Sequence, residues 1–367
     1  MKRQNNRYTV LPKKITGFTL IELLVASALS IIVLIAAGSG FVTTQKLSQV
    51  AKGRLQVQND LRNATNMIVR DARMAGSFGC FNLAKTAAGN QKIKLKDHGT
   101  ANVLGALEYN NQNQGIKYLD GTILSQPEFT ISKSSSKVLL FTYGIGSSSG
   151  YSSSGANSFS VQIEKGGELA ELNKQTDAPI VISTCSSLEK FPSSTKELNG
   201  DGDKLTVKNL SPNLSPDHDT QVNPKLQSEI SVFRQVVNVY AIGTPTGGEE
   251  GLYLFQLNPT TGKLGEPQLL LAGVTSWKLE FGYVQSPGCK SMQNDAKIKF
   301  VNDIESDKTA LSPALLRMQL RGSGNDGAVK GGKAANNSES DVQTYYINAT
   351  IRGGNSCAER NFQEDAN

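Results

Sequence analysis

The feature that most constrains this chain is an unbroken apolar run near its N-terminus, from Phe18 to Val42. The run is 25 residues long and contains a single charged residue, Glu22. A helix needs about 20 apolar residues to cross the hydrocarbon core of a bilayer, so this run is long enough to span one. We therefore expect the chain to begin with a membrane-spanning helix over residues 18–42.

A basic flank without any acidic residue precedes the run, and it consists of Lys2, Arg3, Arg7, Lys13 and Lys14. By the positive-inside rule this flank stays in the cytoplasm, so the residues after the run are expected across the membrane. Removing residues 1–17 changes the formal charge from +6 (38 basic, 32 acidic) to +1 (33 basic, 32 acidic). A nearly neutral remainder argues against bulk binding to nucleic acid.

The run is too long for a secretory signal peptide, and no small-residue cleavage site follows it directly. Any cleavage is therefore expected before it. Residues 15–24, ITGFTLIELL, carry a family resemblance at this point. A basic leader that ends in glycine and continues as Phe-Thr-Leu-Ile-Glu resembles the processing signal of type IV prepilins and pseudopilins. The resemblance implies a leader of residues 1–17, which a prepilin peptidase removes by cleaving between Gly17 and Phe18 before methylating the amino group of Phe18.

Glu22 has a physical explanation of its own beside this resemblance. An isolated carboxylate at membrane depth costs about 2.5 to 3.5 kcal/mol on insertion scales and usually has a partner. The resemblance implies that Glu22 sets subunit register by facing the free amino group of Phe18 on a neighbouring subunit. The alternative is that Glu22 lies at the membrane interface and extends to water.

The pattern after Val42 predicts that the helix continues as an amphipathic segment over residues 43–79. Apolar residues recur there every three or four positions, and a glycine-rich break follows at Gly76 and Gly79. Such spacing places one face of a helix against a globular domain. The residues of that face are Leu47, Val50, Val57, Leu61, Ala64, Ile68, Ala72 and Ala75.

The rest of the chain is rich in Ser, Gly, Asn and Thr, with short β-like runs between turn signals. The predicted strands are 138–143, 159–163, 180–183, 232–240, 252–257, 277–283, 315–320 and 344–351. Several of them alternate apolar with polar residues, as antiparallel strands with one wet face do. We expect an α+β fold in which the long helix packs on a mostly antiparallel, β-rich region.

This region has one or two modules, at 80–200 and 226–367, separated by a turn-rich connection over residues 190–225. Two stretches with few large apolar residues, 147–154 and 322–339, are predicted to be exposed loops.

Four cysteines, Cys80, Cys185, Cys289 and Cys357, lie too far apart for a CxxC redox or zinc motif. An even number behind a membrane-targeting segment suits two disulfides in an oxidising compartment. Three connectivities are open to four cysteines. We favour Cys80 with Cys185 and Cys289 with Cys357, because each pair then stays within one half of the chain; four unrelated buried thiols are the alternative.

Residues for catalysis are scarce. The chain has two histidines, His98 and His218, neither in a nucleophile motif, and it has no phosphate-binding or dinucleotide fingerprint. Residues 199–203, Asn-Gly-Asp-Gly-Asp, resemble the start of a calcium loop, but Lys204 and Leu210 occupy positions that need Gly and Glu. A plain acidic turn is favoured. We expect that the chain is not an enzyme and that it binds no cofactor, metal ion or small-molecule substrate.

The chain is long for a pilin, and residues 70–76, RDARMAG, followed by Phe78, Gly79 and Cys80, resemble PilW-type minor pilins. Looser matches at 271–274, 316–320 and 346–352 also resemble the J-type pseudopilins of type II secretion.

The resemblance implies a subunit of a tip complex that primes pilus assembly and supports adhesion, twitching motility or DNA uptake. Its implied partners are the prepilin peptidase, other minor pilins, the major pilin and a tip adhesin. The implied location is the inner membrane, with a single pass and a periplasmic globular part, and then the pilus tip. The alternatives are a J-like pseudopilin, or a tip module that binds DNA or surfaces.

Overall fold

The protein is described by a computed structural model over a defined set of residues. These are residues 17–79, 81–83, 94–97, 115–124, 128–146, 148–155, 158–171, 180–183, 187–191, 196–208, 230–258, 264–284, 298–304, 312–322 and 344–351. The chain divides into two compact units, residues 1–53 and residues 54–367. The second unit contains all of the described strands.

One long helix, α1 (Leu20–Met74), precedes all of the described strands. The strands of the first half are β1 (Ser77–Phe78), β2 (Phe81–Asn82), β3 (Lys94–Asp97), β4 (Ile116–Asp120), β5 (Phe129–Ile131), β6 (Lys137–Ile145), β7 (Ser148–Gly155), β8 (Ser158–Ile163), β9 (Ile180–Ser183), β10 (Ser187–Phe191), β11 (Lys196–Leu198) and β12 (Lys204–Val207). The later strands are β13 (Ser231–Pro245), β14 (Gly251–Gln256), β15 (Gln268–Ala272), β16 (Val274–Val284), β17 (Ile298–Val301), β18 (Leu315–Gly322) and β19 (Thr344–Thr350). A short helix, α2 (Glu168–Glu171), follows β8.

The α+β prediction is confirmed, as are all eight predicted strands. A nine-stranded sheet is built around β13, which pairs antiparallel with β5, β6, β9 and β14. Strands β4, β10, β15 and β3 extend it, and β3 with β10 is the parallel pair among the described strands. This sheet combines strands from 80–200 with strands from 226–367, so sheet membership does not follow the predicted module boundary. The division into two modules stays a prediction.

The central strands of this sheet are apolar on both faces. In β6, Leu139 and Phe141 point to one core, whereas Val138 and Leu140 point to another. Strand β13 alternates in the same way between the two cores. Because both faces are buried, these strands read as continuous apolar runs in the sequence.

The first core is shared by three layers. Ile68 and Ala72 of α1 lie on one face of the nine-stranded sheet, and Trp277, Phe281 and Met318 of a four-stranded sheet complete the cluster. That four-stranded sheet has the order β17-β16-β18-β19 and is antiparallel throughout. The predicted helix face is confirmed at its C-terminal end, where Ala64, Ile68, Ala72 and Ala75 are fully buried.

A second four-stranded sheet, of order β11-β12-β8-β7, encloses a separate core with β9 and the start of β13. Here one loop prediction was wrong, because residues 148–155 form strand β7 and pair antiparallel with β8. The backbone ladder with β8, interrupted by two register shifts, supplies the order that the serine-rich sequence does not indicate.

The helix ends on the sheet, at the break that the sequence predicts. Gly76 has a left-handed φ of 74°, and its amide donates to the carbonyl of Thr142 on β6 at 2.8 Å. A side chain is excluded from Gly115, since a Cβ there would lie 2.1 Å from the nitrogen of Gly76. Two glycines thus let the end of α1 lie directly against the backbone beside β6.

A buried carboxylate fixes the helix to the same two strands. Asp71 is fully buried and accepts hydrogen bonds from the hydroxyls of Tyr143 on β6 (2.9 Å) and Tyr240 on β13 (2.6 Å). The side-chain amide of Asn238 donates to it at 2.6 Å, and the Arg70 guanidinium approaches it to 3.3 Å. We call Asp71, Tyr143, Asn238 and Tyr240 the Asp71 cluster. Burial, followed by the negative charge of Asp71, raises the pKa of both tyrosines, so they remain donors.

We predict that Asp71→Ala destabilises the second unit by about 3–5 kcal/mol, because it leaves three buried donors without their acceptor. The single tryptophan, Trp277, lies in the adjoining core, so its fluorescence during urea unfolding reports the change. Asp60→Ala is the matched control on the same helix, since that partly exposed carboxylate bonds only Gln56 among the described residues. Equal midpoints for the two variants would contradict this role of Asp71.

Candidate functional site

The described part of the first unit is a helical surface of exposed apolar side chains. Every residue from 17 to 49 is exposed. The exposed residues include large apolar side chains, such as Leu20, which is 79% exposed, and Ile35, which is 66% exposed. In the part of the chain that the structure describes, α1 is the helix long and apolar enough to cross a membrane. A surface of this size is stable only against lipid or against other apolar helices.

Polar groups within this apolar segment are satisfied by the helix itself. The hydroxyls of Ser27, Ser30 and Ser39 donate to carbonyls three or four residues earlier, at 2.7–2.9 Å. Thr43 and Thr44 do the same at 2.9 Å. Hydroxyls bonded in this way need no water, which suits a helix in a low-dielectric surrounding.

The helix begins with a reciprocal cap between Thr19 and Glu22. The Thr19 hydroxyl accepts the backbone amide of Glu22 at 3.3 Å, and Glu22 Oε2 accepts the backbone amide of Thr19 at 3.0 Å. The same hydroxyl donates to Oε2 at 3.0 Å. This arrangement is a capping box, in which two otherwise unpaired amides at a helix start are both satisfied.

The cap explains the local structure at the predicted processing site. Because the helix starts at Leu20, Gly17 and Phe18 lie outside it, and Phe18 is 88% exposed. A Cβ at Gly17 would meet no atom within 4 Å. The peptide bond between the two residues is therefore non-helical and open to an enzyme.

Glu22 is oriented by the cap toward the start of its own helix. Its Oε2 atom receives both bonds from Thr19, whereas Oε1 accepts none among the described residues. One carboxylate oxygen is thus occupied locally and the other remains available for a cation. Roles for Gly17, Phe18 and Glu22 were predictable from the sequence, whereas Thr19 was missed. The Thr-x-x-Glu spacing before an apolar run would have indicated it.

The predicted calcium-loop residues form a hydrogen-bonded turn between β11 and β12. Oδ1 of Asn199 accepts the backbone amides of Asp203 (3.1 Å) and Lys204 (3.0 Å), and its amide group donates to Asp203 at 2.8 Å. The favoured acidic turn fits this geometry, because the Asn199 oxygen is already used by the backbone. His98 and His218 lie outside the described residues. Among the described residues, no three His, Cys, Asp or Glu side chains form a group that could hold a metal ion.

The four cysteines also lie outside the described residues, but neighbours of two of them are in contact. Gly79 precedes Cys80, and Ser183 lies two positions before Cys185. The Ser183 hydroxyl donates to the carbonyl of Phe78 at 2.7 Å, and a Cβ on Gly79 would lie 3.8 Å from that hydroxyl. The pairing of the four cysteines therefore stays a prediction.

We predict two disulfides, Cys80 with Cys185 and Cys289 with Cys357, from the even number of cysteines behind a membrane-targeting segment. Peptide mapping under non-reducing conditions is expected to recover one linked peptide with Cys80 and Cys185 and another with Cys289 and Cys357. Cys80→Ser is then expected to free the thiol of Cys185 alone. Linkage of Cys80 to Cys289 or Cys357, or four free thiols, would overturn the assignment.

We predict that Thr19→Ala weakens the first turn of α1 by about 1 kcal/mol, because the cap loses its hydroxyl. Amide hydrogen exchange at Glu22 and Leu23, whose amides bond Thr19, is measured by NMR on the mature protein in micelles and is expected to accelerate about fivefold. Thr19→Ser retains the hydroxyl and serves as the control. Unchanged exchange in the alanine variant would show that the cap does not hold the turn.

Comparison with known proteins finds a match in the segment that contains this N-terminal site. The family model described as the prokaryotic N-terminal methylation motif matches residues 12–38, which include Gly17, Phe18, Thr19 and Glu22. No curated protein and no solved structure matches the chain. The matched motif implies processing by prepilin peptidase and association with pilus components. The chain therefore carries a type IV pilin-like signal on a membrane-compatible helix, which points to a structural protein of the pilin and pseudopilin kind.

Proposed function

We propose that the protein is a minor pilin of a type IV pilus, of the PilW type, and a structural subunit of the complex at the pilus tip that primes assembly. The observation that carries the proposal is the start of α1. There an accessible Gly17–Phe18 bond precedes an exposed apolar helix, and Oε1 of Glu22 in its first turn accepts no hydrogen bond among the described residues.

Before assembly the helix lies in the inner membrane and the second unit lies in the periplasm. The basic flank before residue 18 supports this orientation, because cytoplasmic flanks are rich in Lys and Arg. Removal of residues 1–17 creates an ammonium group on Phe18 and discards most of the net charge. The mature helix is then free to exchange lipid for the apolar helices of other subunits.

Glu22 and Phe18 supply the polar contact in this exchange. In lipid, Thr19 satisfies one oxygen of Glu22, which lowers the cost of keeping the carboxylate at membrane depth. In the filament, Oε1 accepts the Phe18 ammonium of a neighbouring subunit. Such a pair is strong only where both charges leave water together, so it favours one register between apolar helices that could otherwise slide.

The second unit gives the subunit its specific surfaces. This unit joins α1 to the nine-stranded sheet through the Asp71 cluster and closes the first core with a four-stranded sheet. Its length and the residues at 70–80 support the assignment as a scarce subunit next to other minor pilins, the major pilin and a tip adhesin. Adhesion, twitching motility or DNA uptake then follow from pilus assembly, without catalysis by this chain.

We predict that Glu22→Ala lowers the number of pili per cell about tenfold or more, because the register contact is lost. Pili are counted by electron microscopy in a strain without the wild-type copy, and Trp277 fluorescence checks that the second unit stays folded. Mass spectrometry is expected to find methylated Phe18 at the N-terminus of both proteins. An intact leader would overturn the processing site, and normal piliation in the variant would overturn the role of Glu22.

Deletion of the whole chain separates a pilus subunit from a J-like pseudopilin of type II secretion, which carries the same kind of signal. Loss of pili with normal exoprotein secretion supports the minor pilin. Loss of secretion with normal pili assigns the chain to the secretion system.

A further inference from the structure

The outer face of α1 in the second unit has a composition that packing does not explain. On this face Arg62, Asn66, Arg70 and Arg73 are exposed. At 3.6 residues per turn they fall within about 80° of one another, opposite the buried face with Ala64 and Ile68. We call these four residues the arginine face.

The arginine face contains no carboxylate. The acidic residues between positions 54 and 74 are Asp60 and Asp71. Asp71 is buried against the sheet, and Asp60 accepts hydrogen bonds from Gln56 and lies about 160° around the helix from Arg62. Ion pairs between side chains three or four positions apart commonly neutralise exposed arginines on a helix. Such pairs are therefore absent from this surface of α1.

Two of the three arginines also lack an ion-pair partner in the part of the chain that the structure describes. These are Arg62 and Arg73, whereas Arg70 pairs with Asp71. Arg62 and Arg73 lie eleven residues apart in the sequence. Their positions are therefore about 16 Å apart along the helix and within about 20° of each other around it. Two arginines of the strands differ, because Arg234 pairs with Glu168 and Arg317 pairs with Glu280 at 3.2 Å, whereas Arg321 on β18 makes no ion pair among the described residues.

We propose that the arginine face docks a carboxylate-bearing surface of a neighbouring pilin-type subunit. This inference rests on the proposed function and names one partner surface within it. Arginine suits such a contact, since its planar guanidinium binds a carboxylate through two parallel hydrogen bonds. The short amide of Asn66 lies between the arginines and lets a partner approach closely.

The occupant is a protein surface of negative charge. A bilayer headgroup is a poor fit, because Arg62 lies 20 residues beyond Val42, where the apolar run ends. The helix dipole accounts for Arg73, which lies in the last turn of α1, but not for Arg62, which lies more than three turns before the end of the helix on the same face.

The test places a photo-crosslinking residue within the face. Full-length protein with Asn66→p-benzoylphenylalanine is expressed in the native strain, irradiated in intact cells and analysed by mass spectrometry. The expected adduct joins residue 66 to an acidic segment of a second protein with the same N-terminal methylation signal. Adding Arg62→Glu and Arg73→Glu is expected to lower the adduct yield about tenfold, through repulsion of like charges.

Three controls make the outcome specific. Arg321→Glu reverses an exposed arginine on β18 that makes no ion pair among the described residues, and it should leave the yield unchanged. Arg62→Lys with Arg73→Lys keeps the charge and should retain most of the yield. Arg62→Glu alone, which is remote from the helix end, should lower the yield while the urea midpoint of Trp277 fluorescence stays at the wild-type value.

The proposal is overturned if the wild-type face yields no adduct, if the adduct forms with lipid or with a protein that lacks the signal, or if charge reversal leaves the yield unchanged. Failure of the proposed function gives a different result. If the proposed function is wrong, Phe18 is not processed, or deletion of the chain leaves pili intact, whatever residue 66 contacts.

Discussion

The second unit depends on one buried carboxylate. Asp71 joins α1 to β6 and β13 through three donors on those strands, at 2.6–2.9 Å, and it is fully excluded from solvent. A buried charge is tolerated only when its hydrogen bonds are complete, so the helix and the two strands must be in place together. The first core closes around this contact, because Ile68 and Ala72 flank Asp71 on the helix.

Two carboxylates on α1, Asp71 and Glu22, both need hydrogen-bond donors, and they obtain them in different surroundings. Asp71 obtains its donors from strands far away in sequence, and no further partner is needed. Glu22 obtains its donors from Thr19 alone, and one oxygen remains open. The difference follows from the environment, since the first lies within a folded core and the second lies on a surface that only lipid or another subunit covers. An incompletely satisfied acid at that position fits the assembly role that we propose for Glu22.

The sequence predicts the elements of this fold better than their contacts. Strands such as β6 and β13 were predictable because their apolar runs require burial, and α1 because its spacing continues to Ala75. Strand β7 was not, because its order comes from pairing with β8 and not from its serines. Thr19 could have been predicted, because Glu22, its capping partner, is only three residues away in the sequence. The Asp71 cluster was not, because its donors lie 72, 167 and 169 positions from Asp71.

The Asp71 cluster also determines which side of the helix faces a partner. If α1 rotated by one residue, about 100°, Arg70 or Ala72 would take the position of Asp71. Neither could accept hydrogen bonds from Tyr143 and Tyr240, so the buried hydroxyls would lose their acceptor. The rotation of this half of α1 is therefore fixed from inside the fold. As a result, Arg62 and Arg73 are presented on the outer face at a constant angle, as a charged contact between subunits requires.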